Sequence, residues 1–261
     1  MEYGDKHILV LGAGASGIGA SWVLAQVGAH VVLNDYKPMT LPTAEEKRLV
    51  ATGVNIITGR QDESLLDGVD RIVISPGISL DIPIVKAAQA RGIDVVSEVE
   101  LAYEVSKSPI VAVTGTNGKT TTTTLLTKVL EGSGKPVRVG GNIGDSLSEV
   151  VYSMPADGFL VAELSSYQLE TIKHFRPVGA IMLNITPDHL ARHKTMENYI
   201  AAKERIFENQ LSTDYLVLNI DDPVVADMEH RAPSHILKIS QKKAVENGAY
   251  YADGQCYIAK D

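Results

Sequence analysis

A chain of 261 residues with 44% hydrophobic and 21% charged residues reads as an ordinary globular protein with room for two cores of common size. Its 32 acidic residues against 24 basic ones give a net charge of -8, and no Lys/Arg run gathers a basic patch, so nucleic acid is excluded as a partner. The N-terminus lacks a basic segment followed by a long apolar one, and no run reaches the roughly 18 uninterrupted apolar residues of a membrane span, so a cytoplasmic protein with no span is expected.

The first hundred residues alternate short β-branched runs with stretches carrying apolar residues at helical spacing, the pattern of a parallel sheet with crossover helices. Strands are expected over 7–11, 30–34, 55–57, 71–74 and 94–96, and helices over 16–27, 43–52 and 82–90. A helical segment over 98–105 runs into Ser106-Lys-Ser-Pro109, where the proline disfavours helix in the residue before it. A first domain over 1–106 and a second over 107–261 follow. The second restarts the alternation with strand 110–113, helix 119–131, strands 137–140, 159–164 and 178–183, helix 196–209 and strand 215–219. Beyond Asp221-Asp-Pro223 come a short helix, a strand near 235–239 and a hairpin turning at Asp253-Gly254. The chain then stops on a strand edge with no closing helix, so the second domain is read as incomplete. Cys256, the only cysteine, allows no internal disulfide and has no metal-ligand spacing around it; a semi-buried bystander is expected. The fold class is α/β, a Rossmann-like N-terminal domain followed by a P-loop ATPase-type central domain.

Gly12-Ala-Gly14-Ala15-Ser16-Gly17 follows a strand and opens a helix, and Asp35 ends the next strand about where a ribose-binding acid belongs in a dinucleotide site. Glycines that let backbone N–H groups at a helix N-terminus approach a pyrophosphate hold any diphosphate, so the loop signifies diphosphate rather than hydride chemistry. Asp35 reads equally as a turn residue.

The segment Val-Ala-Val-Thr-Gly-Thr-Asn-Gly-Lys-Thr-Thr over 111–121 again runs from strand through glycines into helix. Backbone N–H groups of Gly115, Thr116, Asn117, Gly118 and Thr121 suit nucleotide phosphates, Lys119 suits the transferring group, and the Thr120 hydroxyl suits magnesium. The usual loop has a glycine six residues before its lysine; Val113 stands there, so this is a shortened variant. Glu163, after an apolar strand, is the candidate metal carboxylate, with a buried ion pair as the alternative. Asn184-Ile-Thr-Pro-Asp-His189 brings an imidazole to the same sheet edge. Lys203, by composition, reads as a solvated helix lysine.

The loop over 115–121, Gly141-Asn142-Ile-Gly144, Glu163-Leu-Ser165-Ser-Tyr-Gln-Leu-Glu170, the Asn184 to His189 segment and Ala202-Lys-Glu-Arg205 occur in the order found in Mur ligases, and the chain resembles that family from the first glycine loop to about Asp222. The shortened loop is shared with a wider superfamily that includes folylpolyglutamate synthases. The Glu163 to Glu170 segment, together with the Rossmann-like first domain, looks like the D-glutamate-adding branch.

The resemblance implies an ATP-dependent amide-forming ligase of peptidoglycan precursor synthesis, and hence of cell-wall biogenesis, cell shape and division. Its implied substrates are UDP-N-acetylmuramoyl-L-alanine, D-glutamate and ATP, and its metals two Mg2+. By it, the UDP moiety lies on Gly14, Ala15, Ser16, Gly17, Asp35, Tyr36, Lys37, Ser75, Pro76 and Gly77, and Asn142, Ser165 and His189 approach the substrate. Lys119, His189 and Lys203 become the catalytic set, and Thr120, Glu163, His189 and Lys203 the metal set. Lys203 would be carbamylated by CO2, which turns a cation into an oxygen ligand. A monomer is expected. A third, amino-acid-binding domain is expected to be missing, so this chain should bind the UDP substrate and ligate poorly. The competing readings are an NAD(P)-dependent oxidoreductase, resting on the first loop alone, and a non-catalytic nucleotide-binding module.

Overall fold

Continuous apolar runs such as His7–Leu11 bury both faces, which a parallel strand needs when helices cover each side of its sheet. The computed structural model describes residues 3–260. Its first sheet is built from β1 (His7–Leu11), α1 (Ala15–Gln26), β2 (His30–Asp35), α2 (Thr43–Ala51), β3 (Asn55–Thr58), β4 (Arg71–Ile74), α3 (Pro83–Ala90) and β5 (Asp94–Ser97). The strand order is β3-β2-β1-β4-β5, every pair parallel. The order reverses between β1 and β4, and ligands of open α/β sheets bind at that crevice, outside the carboxyl ends of the strands.

After α4 (Glu98–Val105) a second sheet begins, from β6 (Ile110–Thr114), α5 (Lys119–Glu131), β7 (Val137–Gly141), α6 (Leu147–Tyr152), β8 (Phe159–Glu163), α7 (Ser166–Leu169) and β9 (Gly179–Met182). It continues through α8 (Leu190–His193), α9 (Met196–Glu204), β10 (Tyr215–Asn219), α10 (Pro223–Asp227), β11 (His235–Ser240), β12 (Gly248–Ala252) and β13 (Gln255–Ala259). The order is β13-β12-β11-β10-β9-β6-β8-β7, parallel except for the closing β12–β13 hairpin. That hairpin turns at Asp253 and Gly254, both at positive φ (49° and 78°), the conformation a two-residue primed turn requires.

Helix α4 belongs to both cores: Leu101 packs with the first sheet's cluster, Val99 and Ala102 with the second's. Two buried carboxylates on it fix the neighbouring chain. Glu100 accepts the backbone N–H groups of Lys173, His174 and Phe175 at 2.8, 2.8 and 3.0 Å. Glu98 accepts the Ser148 backbone N–H and hydroxyl, each at 2.7 Å, at the start of α6. Helix α6 packs in turn on α1, and Gly19 is what allows it: an added Cβ there would lie 1.9 Å from Ser146 Oγ. Beside this contact Arg48 of α2 pairs with Glu149 of α6 and lies 5.2 Å over the Trp22 ring.

Three expectations are corrected. Helix α9 ends at Glu204, and Arg205–Phe207 form a tighter 3-10 turn where a single helix to 209 was expected. Cys256 is exposed rather than semi-buried, because β13 is an edge strand. Lys203 is 2% exposed, so the solvated-helix reading fails. Among the described residues no helix is long and apolar enough to cross a membrane.

Candidate functional site

On the first sheet, the loop after β1 reaches α1 through Gly14, so no side chain of the cap residue accepts from the helix's first N–H groups. The glycines divide the work. A Cβ on Gly17 would lie 1.8 Å from Gly12 O, so Gly17 serves close helix-strand packing, whereas nothing stands within 4 Å of a Cβ on Gly14, where a ligand can approach. Asp35 Oδ2 accepts Ala13 N–H at 3.0 Å and Oδ1 accepts Lys37 N–H at 2.9 Å, so this carboxylate braces the loop. Ser75 Oγ donates to Gly12 O at 3.1 Å, which brings the Ser75, Pro76 and Gly77 loop alongside. Tyr36, at 68% exposure, and Lys37 stand open beside it. A cleft of about 630 Å3 continues from Ala15 between the two sheets to Gly144 and Ser146.

On the second sheet, the phosphate-type loop turns at Gly115 (φ 149°) and Gly118 (φ 83°); Gly118 caps α5 without a side chain. The loop is clamped to the end of β9. Thr116 N–H donates to Asn184 O at 2.8 Å, Asn117 N–H to Asn184 Oδ1 at 2.8 Å, and Asn184 Nδ2 to Asn117 O at 2.9 Å. Lys119 Nζ donates to Gly115 O and Thr116 O at 3.1 and 2.9 Å. Thr120 and Thr121 are exposed at the helix start.

Glu163 ends β8 between β6 and β7 and is 1% exposed. Its Oε1 accepts Asn142 Nδ2 at 2.9 Å; its Oε2 is buried with no hydrogen-bond partner. The ion-pair alternative therefore fails, and an orphaned buried carboxylate oxygen beside a phosphate loop fits a cation. Lys203 reaches the same loop from α9, its Nζ donating to Gly115 O at 2.8 Å and to Thr114 Oγ1 at 3.3 Å. Burial, reinforced by the charge of Lys119, pulls its amine down to about 7.

His189 stands exposed on the segment that follows β9. It sits at positive φ (54°), its Nε2 3.4 Å from Asp188 and its ring against those of Tyr167 and Tyr199. Ser165 caps α7 in a reciprocal pair with Gln168. The grouping of Glu100 and Glu104 on α4 with His174, from the segment between α7 and β9, lies elsewhere, its carboxylates spent on backbone N–H groups, Arg71 and Tyr3. Thus Thr120, Glu163, His189 and Lys203 form no preassembled cage of acids and imidazoles; magnesium, which takes one or two carboxylates and completes its shell with phosphate and water, needs none. Asn184, Tyr199 and Arg192 also belong to this region and were not singled out from the sequence. Asn184 sits inside a quoted motif, but the helix positions of Tyr199 and Arg192 carry no signal of their own.

Two glycine loops at the carboxyl ends of two largely parallel sheets, the second with a lysine and an orphaned acid, mark an α/β protein of two successive sheet-and-helix units. The family models agree: residues 6–97 match the Mur ligase MurD-like N-terminal domain and residues 113–258 the Mur ligase middle domain. The chain belongs to the Mur ligase family. It is 46% identical over 259 residues to the UDP-N-acetylmuramoylalanine--D-glutamate ligase of Thermoanaerobacter sp. (strain X514), covering 99% of this chain and 57% of that protein. The protein of the same name from Halalkalibacterium halodurans is 45% identical over 257 residues, with 98% and 57% covered. The chain thus spans somewhat more than half the length of these curated relatives. Its fold is shared with the UDP-N-acetylmuramate:L-alanyl-gamma-D-glutamyl-meso-diaminopimelate ligase of Neisseria meningitides, at a TM-score of 0.63 and 22% identity, covering 97% of this chain and 86% of that one.

Proposed function

We propose that these residues form the substrate- and nucleotide-binding parts of a cytoplasmic, monomeric, ATP-dependent ligase that adds D-glutamate to UDP-N-acetylmuramoyl-L-alanine for peptidoglycan synthesis. Residues 1–106 serve as the UDP-substrate domain and 107–261 as the ATP domain. The observation that carries the reading is the second loop, with Lys119 on it, Lys203 buried beneath it and Glu163 beside it holding an unpartnered oxygen.

The reaction is attack of the L-alanyl carboxylate on the γ-phosphate of ATP, giving an acyl phosphate and ADP; the amine of D-glutamate then displaces phosphate and forms the amide. The chain's own share is positioning and charge. The first loop holds the UDP end on Gly14, Ala15, Ser16 and Gly17, with Tyr36, Lys37 and the Ser75 to Gly77 loop around it, while Asn142, Ser165 and His189 approach the alanyl end. The α5 N-terminus and Lys119 hold the phosphates. Magnesium, bound by Thr120 and Glu163, and at a second site by Lys203 with His189, would neutralise charge on the transferring group. Lys203 fits that role as a carbamate: an amine at about 7 is substantially neutral near physiological pH, attacks CO2 through nitrogen and gives up one proton. The oxidoreductase alternative rests on the first loop alone, and Asp35 there is engaged in bracing the loop.

Titration calorimetry of Mg-ADP into the wild type and Lys119→Met tests the reading. The variant should bind Mg-ADP at least about 10-fold more weakly while holding UDP-N-acetylmuramoyl-L-alanine as before. Equal Mg-ADP binding by both proteins contradicts it.

A further inference from the structure

The two glycine loops belong to different sheets, and one side chain bridges their surroundings. Arg192, on α8, donates from Nη1 to Pro76 O at 3.4 Å, across to the first sheet. Its Nη2 and Nε reach the Glu170 carboxylate at 2.5 and 3.3 Å, and its guanidinium lies 4.6 Å over the Tyr167 ring. Only a planar fork that also stacks can serve three such partners at once. With side chains 19% and 14% exposed, Arg192 and Glu170 are mostly shielded from water, which holds the pair in place.

From Pro76 the path runs through Ser75 to Gly12 O in the first glycine loop, at 3.1 Å. On the other side, Tyr167 stacks on His193 at 5.4 Å between ring centroids, and His193 lies 5.3 Å from Tyr199. The Tyr199 hydroxyl is 3.0 Å from Thr116 Oγ1, and Lys119 Nζ donates to Thr116 O at 2.9 Å. A phosphate on the second loop competes for Lys119 with that carbonyl, so its arrival bears on the residue where the path begins.

We infer that Arg192 is a positioning residue that couples occupancy of the first glycine loop to occupancy of the second. It is not among the residues proposed to hold either ligand. It sets the Ser75 to Gly77 loop relative to the His189 segment, so that a ligand ordering one face favours the other. The inference rests on the functional reading above.

The test is calorimetry on this chain with UDP-N-acetylmuramoyl-L-alanine, with and without saturating Mg-ADP. The readout is the ratio of the two affinities, which is insensitive to a change that weakens both by the same factor. The wild type should show a ratio of about 5 or more, and Arg192→Met a ratio below about 2. If Arg192→Met loses its cooperative thermal transition, Arg192→Lys takes its place; it keeps the charge, cannot hold all three partners, and should lose the coupling too. No coupling in the wild type, or wild-type coupling in the folded variant, overturns the inference while the functional reading stands. If the folded wild type does not bind the UDP compound at all, the functional reading falls and the inference with it.

Discussion

Glu98 shows what burial does to a single group. It is 1% exposed, its Oε2 has no partner, and desolvation, opposed by the two Ser148 hydrogen bonds, pushes its carboxyl from 4.5 up to about 7. The folded chain therefore binds this proton more tightly than the unfolded one, so stability falls as pH rises from about 4.5 to 7 and is flat beyond. The full effect is on the order of 3 kcal/mol. Glu98→Gln keeps an acceptor for Ser148 and cannot ionise, so urea midpoints at pH 5 and pH 8 should lie closer together in the variant; an unchanged separation contradicts the assignment. Lys203 runs the other way, its amine being neutral above about 7. With 13C-labelled CO2 and magnesium, a carbamate resonance should grow as pH rises through that value and be missing in Lys203→Arg; no resonance at pH 8 would remove the carbamate from the mechanism. At this scale the sequence exposed Lys119 and Glu163, whose residue types after a strand announce their chemistry. It did not expose the burial of Lys203, which depends on α9 folding back over Thr114 and Gly115, a long-range contact with no local pattern.

At the scale of elements, the strand-and-crossover alternation was legible because strands buried on both faces are continuous apolar runs, and the Asp253-Gly254 hairpin because its dipeptide suits positive φ. Helix α6 escaped notice: six residues are too short for a helical period to declare itself. Yet α6 joins the two sheets. Gly19→Ala should push Ser146 aside and cost about 1–3 kcal/mol in urea unfolding, despite alanine's better helix propensity. Ser146→Gly removes the two nearest clashing atoms, leaving only the flexible end of Glu149 at 2.7 Å, and leaves a tolerable helix cap. The double variant should recover at least about 1 kcal/mol of that loss, and simple additivity of the two changes would show that this contact does not set the α1–α6 spacing.

For the whole molecule, two parallel sheets present their carboxyl ends to one another's neighbourhood through α4, α6 and Arg192, and two diphosphate-type loops lie there. The chain covers 57% of the length of the ligase from Thermoanaerobacter sp. (strain X514). The central claim is that the first glycine loop holds a UDP-linked substrate rather than a redox cofactor. Calorimetric titration of the purified chain with UDP-N-acetylmuramoyl-L-alanine and, separately, with NADH addresses it directly. The account predicts saturable binding of the UDP compound and none of NADH, and saturation by NADH with no binding of the UDP compound would contradict it.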